Sequence, residues 1–161
     1  MLTKMAVEFS PETLKRFEET VNRYPKKEAA MIPVLYLAQR EFGYLSPEAI
    51  EYVAKLMDLS SARVYGVVTF YTMLNMQPVG KYHIQVCRTL PCALVGAEKI
   101  AALVKSKLGI QVGETTPDGK FTLSEVECLA SCGTGPMMQI NDDYYENLTQ
   151  EKVEEILRSL K

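Results

Sequence analysis

At 161 residues the chain can form one ordinary domain or two very small ones. Its 47% hydrophobic and 24% charged residues lie near the average for globular proteins, which argues against a disordered or fibrous chain. A net charge of −2 and an isoelectric point near 5.6 offer no basic footprint for nucleic acid, and they disfavour phosphate or anionic-lipid binding on the same ground.

The opening MLTKMAVEFSPETLKRFEE has no continuous apolar stretch of signal-peptide length. The longest uncharged run, between Arg63 and Lys81, is interrupted by Gly66, Asn75, Gln77 and Pro78. Its apolar part is well short of the roughly 20 residues that cross a bilayer. The expectation is a cytoplasmic protein that meets a membrane through a partner. In a reducing compartment its four cysteines point to metal or redox chemistry before disulfides.

The first half reads as helices. Ser10-Pro11-Glu12 is a start signal, with serine as N-cap and proline at the first helical position, and Leu14, Phe17 and Val21 follow at helical spacing. A second periodic stretch runs from about Lys27 to Phe42 and stops at Gly43. Ser46-Pro47-Glu48 repeats the start signal before Ile50, Val53, Ala54 and Met57. Ser60 caps a fourth helix, with Val64, Val67, Val68, Tyr71 and Leu74 expected on its buried side. Tyr65, Phe70 and Tyr71 are read as bundle core. Four short helices with tight turns predict a small antiparallel bundle.

Near Gln77-Pro78-Val79-Gly80 the pattern changes. Tyr82 to Val86 alternates with period two, as a half-buried strand does. Helical spacing returns from about Val95 to Leu108, and Thr116-Pro117-Asp118-Gly119 is a turn sequence. Phe121 to Val126 reads as a strand. Met137 to Ile140 and Tyr144-Tyr145 form a short hairpin around Asn141-Asp142-Asp143, with one methionine expected to point outward. Thr149 caps a last helix carrying Val153, Ile156, Leu157 and Leu160 inward, while Glu151, Glu154 and Glu155 form a solvated face. The boundary falls near 78–80, giving a helical bundle at 1–78 and an α+β (or α/β) domain at 79–161.

All four cysteines lie in the second half, as Cys87-x4-Cys92 and Cys128-x3-Cys132. Each pair begins where a predicted strand runs into a loop, and Pro91 and Cys92 lie close to a helix start, where amides favour a thiolate. Gly133-Thr134-Gly135-Pro136 follows Cys132, so backbone can approach a bound inorganic group closely. Four readings compete. Zinc usually takes the tighter C-x2-C knuckle, because tetrahedral zinc draws four sulfurs to one atom. A [2Fe–2S] rhomb needs two thiolates at each end and suits wider spacings. Disulfides and unliganded buried thiols are the others.

The chain resembles the NuoE family, the small [2Fe–2S] subunit of NADH:quinone oxidoreductase (respiratory complex I). The likeness runs from IPVLYLAQREFGYLSPEAIEYVA and ARVYGVVTFYTML through VCRTLPCALVGAEKI, GETTPDGKFTLSEVECLASCGTGP and NDDYYENLTQEKVEEIL. The family pattern of C-x4-C and C-x3-C falls on Cys87, Cys92, Cys128 and Cys132, which the resemblance makes ligands of one [2Fe–2S] cluster. It implies a thioredoxin-like ferredoxin domain after the bundle. It also implies a larger flavoprotein partner that carries FMN, the NADH site and a [4Fe–4S] cluster, with the chain peripheral to the inner membrane in the hydrophilic arm of the complex. This chain has no G-x-G-x-x-G of its own. The family usually has glycine where Ala130 stands, a change that narrows the backbone freedom between the last two ligands.

Under that reading the chain is an electron carrier, moving single electrons beside a flavin that accepts hydride, and it is enzymatic only as part of its complex. The equivalent subunit of an NAD-linked hydrogenase or formate dehydrogenase is the nearest alternative, and a zinc-stabilised interaction module is the alternative from another class. His83, the single histidine, is read as surface or packed, because a Rieske-type site needs two. Arg88, next to Cys87, could temper the negative charge of a thiolate-bound cluster, and a solvated arginine is the plain alternative.

Overall fold

The computed structural model describes residues 7–160. They form two compact units that divide between Pro78 and Val79.

The first unit holds α1 (Pro11–Val21), a 3-10 turn (Lys27–Ala30), α2 (Met31–Phe42), α3 (Pro47–Met57) and α4 (Ser61–Phe70). Serine side chains start three of these helices: Ser10 accepts from the Thr13 amide, Ser46 from Ala49 and Ser60 from Arg63. Proline follows the first two, at a position where its missing N–H is no loss. Gly43 ends α2 at φ +82°, a value glycine reaches without strain. Val34, Leu35, Ala38, Val53 and Val64 are fully buried, and the larger aliphatic side chains contribute about 1.5–3 kcal/mol each. Phe9 stacks on Phe42 at 5.5 Å and meets Tyr52 edge-on at 5.2 Å. Gln39 donates to Met73 O and accepts from the Asn75 amide, pinning the segment after α4.

Three expectations change here. The stretch from Lys27 begins as a 3-10 turn and becomes α-helical at Met31. Helix α4 stops at Phe70, so Tyr71 and Leu74 pack from the following turn. Tyr65 is 50% and Phe70 76% exposed, against their reading as core. Val64 and Val68, four residues apart, define the buried face, and Tyr65 and Phe70 project to its other sides.

The second unit runs β1 (Tyr82–Cys87), α5 (Leu90–Leu94), α6 (Ala97–Leu108), β2 (Phe121–Val126), a 3-10 turn (Cys132–Thr134), β3 (Met138–Ile140), β4 (Asp143–Tyr145) and α7 (Gln150–Ser159). The sheet order is β2-β1-β3-β4. β1 and β2 are parallel, with Cys87 opposite Val126, and β1 to β3 and β3 to β4 are antiparallel. Ile84, Val86, Leu123 and Ile140 of the sheet are buried together with Ile100 and Val104 of α6 and Val153 and Ile156 of α7. Lys107 and Glu154 pair across the two helices at 2.8 Å, so one of the glutamates read as solvated has a partner.

The helical stretch expected from about Val95 to Leu108 is α6, which begins at Ala97, and Gly96 at φ +99° separates it from the short helix α5, which was not expected. Met137 and Met138 are both fully buried, so neither turns outward. Consecutive residues face opposite sides, and both sides are covered: Met138 joins the main core, and Met137 joins a second apolar cluster around Cys87 and Cys92.

Candidate metal centre

Parallel pairing with β2 carries β1 to its end, and backbone bonds continue past it: Arg88 N–H to Val126 O at 2.9 Å and Thr89 N–H to Glu127 O at 3.1 Å. Cys87 is therefore held on a strand end clamped from one side by β2 and from the other by Met137 O, which accepts from its amide at 3.2 Å. Thr89 stands at the N-cap of α5 without using its side chain as a cap. Its hydroxyl lies 3.3 Å from Cys87 Sγ instead. Cys92 sits in α5. Both cysteines are buried, in an apolar cluster with Ala97, Leu129 and Met137.

The other two cysteines are exposed, on the loop between β2 and β3. Ala130 lies between them at φ +58°, a left-handed conformation that a Cβ makes costly. Its amide donates to Cys128 Sγ at 3.3 Å. Cys132 opens the 3-10 turn that ends at Thr134. Gly135 comes so close to the buried pair that a Cβ there would stand 3.3 Å from Cys92 Sγ and 3.1 Å from Val95 Cγ2.

Burial pushes the Cys87 thiol up, but hydrogen bonds from the Thr89 hydroxyl and the Leu129 and Thr89 amides outweigh it and leave its pKa below the ordinary value. Cys92 is pushed up to about 11 by burial first, then by its hydrogen bond to Cys87 and the charge of Cys87, with a further contribution from Cys132. Cys92 thus senses both Cys87 and Cys132, and the amide of Leu129, the residue after Cys128, donates to the Cys87 sulfur. Among the described residues, no three His, Cys, Asp or Glu side chains converge as ligands of a single ion. The donor set nevertheless fits an iron–sulfur group: four free thiols, two against an apolar floor and two on a loop whose glycine leaves space beside a sulfur.

Of the remaining candidates, His83 is buried and its Nε2 lies 2.8 Å from Ser124 Oγ, the packed one of the two roles expected. Arg88 pairs with Glu127 at 3.0 Å, and both side chains are exposed. Glu146, Ser131 and Thr134 form a hydrogen-bonded group around the Cys132 turn that cysteine spacing does not reveal. The one local signal for it is the pattern Ser131-Cys-Gly-Thr134, two hydroxyls bracketing a cysteine.

The second unit is thus a small α/β fold, a parallel strand pair extended by an antiparallel hairpin, with every cysteine at one end of the sheet. The family model described as thioredoxin-like [2Fe-2S] ferredoxin matches residues 17–161, and the chain belongs to that family. It is 50% identical over 152 residues to the E subunit of the NADH-quinone oxidoreductase of Rickettsia felis, covering 92% of this chain and 91% of that one. It is 46% identical over 157 residues to the mitochondrial NADH dehydrogenase (ubiquinone) flavoprotein 2 of Dictyostelium discoideum, covering 96% of this chain and 64% of the relative. Among solved structures, an NAD+-reducing [NiFe]-hydrogenase in its air-oxidized state aligns with a TM-score of 0.71 over 81% of this chain and 22% of that chain. At 16% identity that likeness is one of fold alone.

Proposed function

We propose that the chain is the [2Fe–2S] electron-transfer subunit of an NADH:quinone oxidoreductase, with Cys87, Cys92, Cys128 and Cys132 as the ligands. The observation that carries this reading is the 50% identity to the Rickettsia felis oxidoreductase chain over about nine-tenths of both sequences. Held by four thiolates, such a cluster supplies a one-electron step beside the two-electron chemistry of nicotinamide and flavin.

This chain's residues bind, shield and present it. The apolar floor of Ala97, Leu129 and Met137 excludes water from the Cys87–Cys92 side. The Thr89 hydroxyl and the amides at Cys87 donate to sulfur, which favours added negative charge and raises a reduction potential. Leu90, Leu94 and Val95 stand 69%, 77% and 54% exposed around Cys92, an apolar rim suited to a protein partner. We assign that partner as the FMN- and NADH-binding flavoprotein subunit, with the chain in the hydrophilic arm, peripheral to the membrane. No helix among the described residues is long and apolar enough to cross one. A second reading, the equivalent subunit of an NAD-linked hydrogenase, is compatible with the same fold.

Anaerobic purification with the co-expressed flavoprotein, followed by visible spectra before and after NADH, tests the proposal. The iron–sulfur absorbance should bleach on NADH addition when the flavoprotein is present and stay unchanged without it. A colourless, zinc-loaded chain, or a cluster indifferent to NADH in the complex, would contradict it. Reduction of quinone rather than evolution of hydrogen by the assembled complex separates the two readings.

A further inference from the structure

A carboxylate from beyond β4 reaches the turn that carries Cys132. Ser131 precedes that cysteine and Thr134 follows it by two residues, and both turn their hydroxyls onto Oε1 of Glu146. Thr134 Oγ1 lies 2.6 Å from that oxygen, and Ser131 Oγ is hydrogen-bonded to it as well. The two hydroxyl oxygens are 2.6 Å apart, and the Thr134 amide closes the turn onto Ser131 O at 3.2 Å. Backbone bonds run alongside: Asn147 N–H to Thr134 O at 2.7 Å and Leu148 N–H to Pro136 O at 2.9 Å. Lys152 Nζ holds Glu146 O at 2.6 Å, tying the acidic residue to α7.

We infer that Glu146 is a positioning residue for Cys132: by gathering the Ser131 and Thr134 hydroxyls on one carboxylate oxygen, it fixes the 131–134 turn and so the direction in which the Cys132 sulfur is presented. The inference rests on the reading of Cys132 as a ligand. Cys132 is exposed and lies on neither a strand nor a long helix, so the ladder that aims Cys87 has no counterpart here. A carboxylate supplies what is missing, because hydrogen bonds to an ionised acceptor are shorter and about twice as strong as neutral ones. The hydroxyls of Ser131 and then Thr134 hold the Glu146 carboxyl below the usual carboxylate range, so it is ionised at neutral pH. The role matches that of outer partners at metal sites, which orient a ligand without touching the metal.

The test uses the full-length chain purified anaerobically with its cluster. The readouts are the visible circular dichroism spectrum and the rate at which an iron chelator bleaches it. Glu146→Ala should change the spectrum and speed cluster loss by about tenfold, the lower end of the range for such partners. Glu146→Gln, which keeps an acceptor oxygen, should restore most of both. Ser131→Ala and Thr134→Val should each fall between, and combining either with Glu146→Ala should add little. If Glu146→Ala does not fold, Ser131→Ala and Thr134→Val still carry the test: wild-type rates and spectra in both overturn the inference, and graded changes support it. Wild-type rate and spectrum in Glu146→Ala overturn it as well. A Cys132→Ser arm separates the two levels. If that variant keeps its iron and spectrum, the ligand reading fails and takes the inference with it. If it loses them while Glu146→Ala matches wild type, only the inference fails.

Discussion

Cys87 closes a central strand and Cys92 lies inside a helix, both buried against Ala97, Leu129 and Met137, whereas Cys128 and Cys132 stand exposed on the loop between β2 and β3. The first pair is aimed by elements the fold requires in any case, a parallel strand pair and its crossover helices. The second is aimed by local devices: a left-handed Ala130, an amide on the Cys128 sulfur, and two hydroxyls gathered on Glu146. One pair is therefore packed among buried side chains, and the other, nearest the solvent, is held by a few polar contacts. For an electron carrier this division is reasonable, since one side must exclude water while the other must come close to a partner.

The sharpest way to break that comparison is serine substitution at each cysteine. All four variants should lose cluster, because a hard oxygen replaces a soft thiolate. Cys87→Ser and Cys92→Ser should in addition lower the stability of the cluster-free fold by about 1–3 kcal/mol, the cost of burying a hydroxyl. Cys128→Ser and Cys132→Ser should leave that stability nearly unchanged. Iron content and thermal melting measure the two effects, and equal melting losses from both pairs would erase the distinction.

Gly135→Ala probes the seam between the pairs. Its new Cβ would press on Cys92 Sγ and Val95 Cγ2, and overpacking of this kind costs about 1–3 kcal/mol. A visible spectrum identical to wild type, with unchanged melting, would show that the buried side yields more easily than its packing suggests.

Ala130→Gly should act in the opposite direction. Glycine removes the left-handed strain of about 1–2 kcal/mol but frees the unfolded chain, leaving a net gain of about 0.5–1 kcal/mol. Differential scanning calorimetry of the cluster-free protein would register it as a small rise in melting temperature. A loss would mean that residue 130 is not left-handed in solution.

The smallest effect concerns pH. Burial holds the pKa of His83, the chain's single histidine, below its ordinary value. The unfolded state then takes up the proton first as pH falls. Stability is fully retained above the ordinary value of about 6.5 and is lost progressively toward the lower folded-state pKa. Urea midpoints should decline over that window in the wild type and stay flatter in His83→Gln. An identical slope in both would show that His83 does not drive the pH dependence.

Much of this fold is legible in residue order. The Ser-Pro-Glu starts, Gly43, the Tyr82–Val86 alternation and the Phe121–Val126 run each state their local structure through capping or period, and the structure follows them closely. The features that sequence misplaces depend on neighbours distant along the chain. Tyr65 and Phe70 look like core by composition, and the exposed face of α4 emerges only once Val64 and Val68 are packed. Met137 and Met138 look like an alternating strand, and the second apolar cluster that buries Met137 assembles from α5, α6 and the β2–β3 loop. The cysteine pairs are legible as pairs, but their inequality in burial is not. Glu146 lies 14 positions beyond Cys132 and reaches Ser131 and Thr134 through the β3–β4 hairpin, a contact no local pattern encodes.

The central claim is that four thiolates of one chain hold a one-electron centre. Iron and acid-labile sulfide assays on the anaerobically purified full-length protein, combined with a reductive titration, test it most directly. The expected result is about two irons and two sulfides per chain and uptake of about one electron. One zinc per chain with no visible absorbance, or no metal at all, would contradict it.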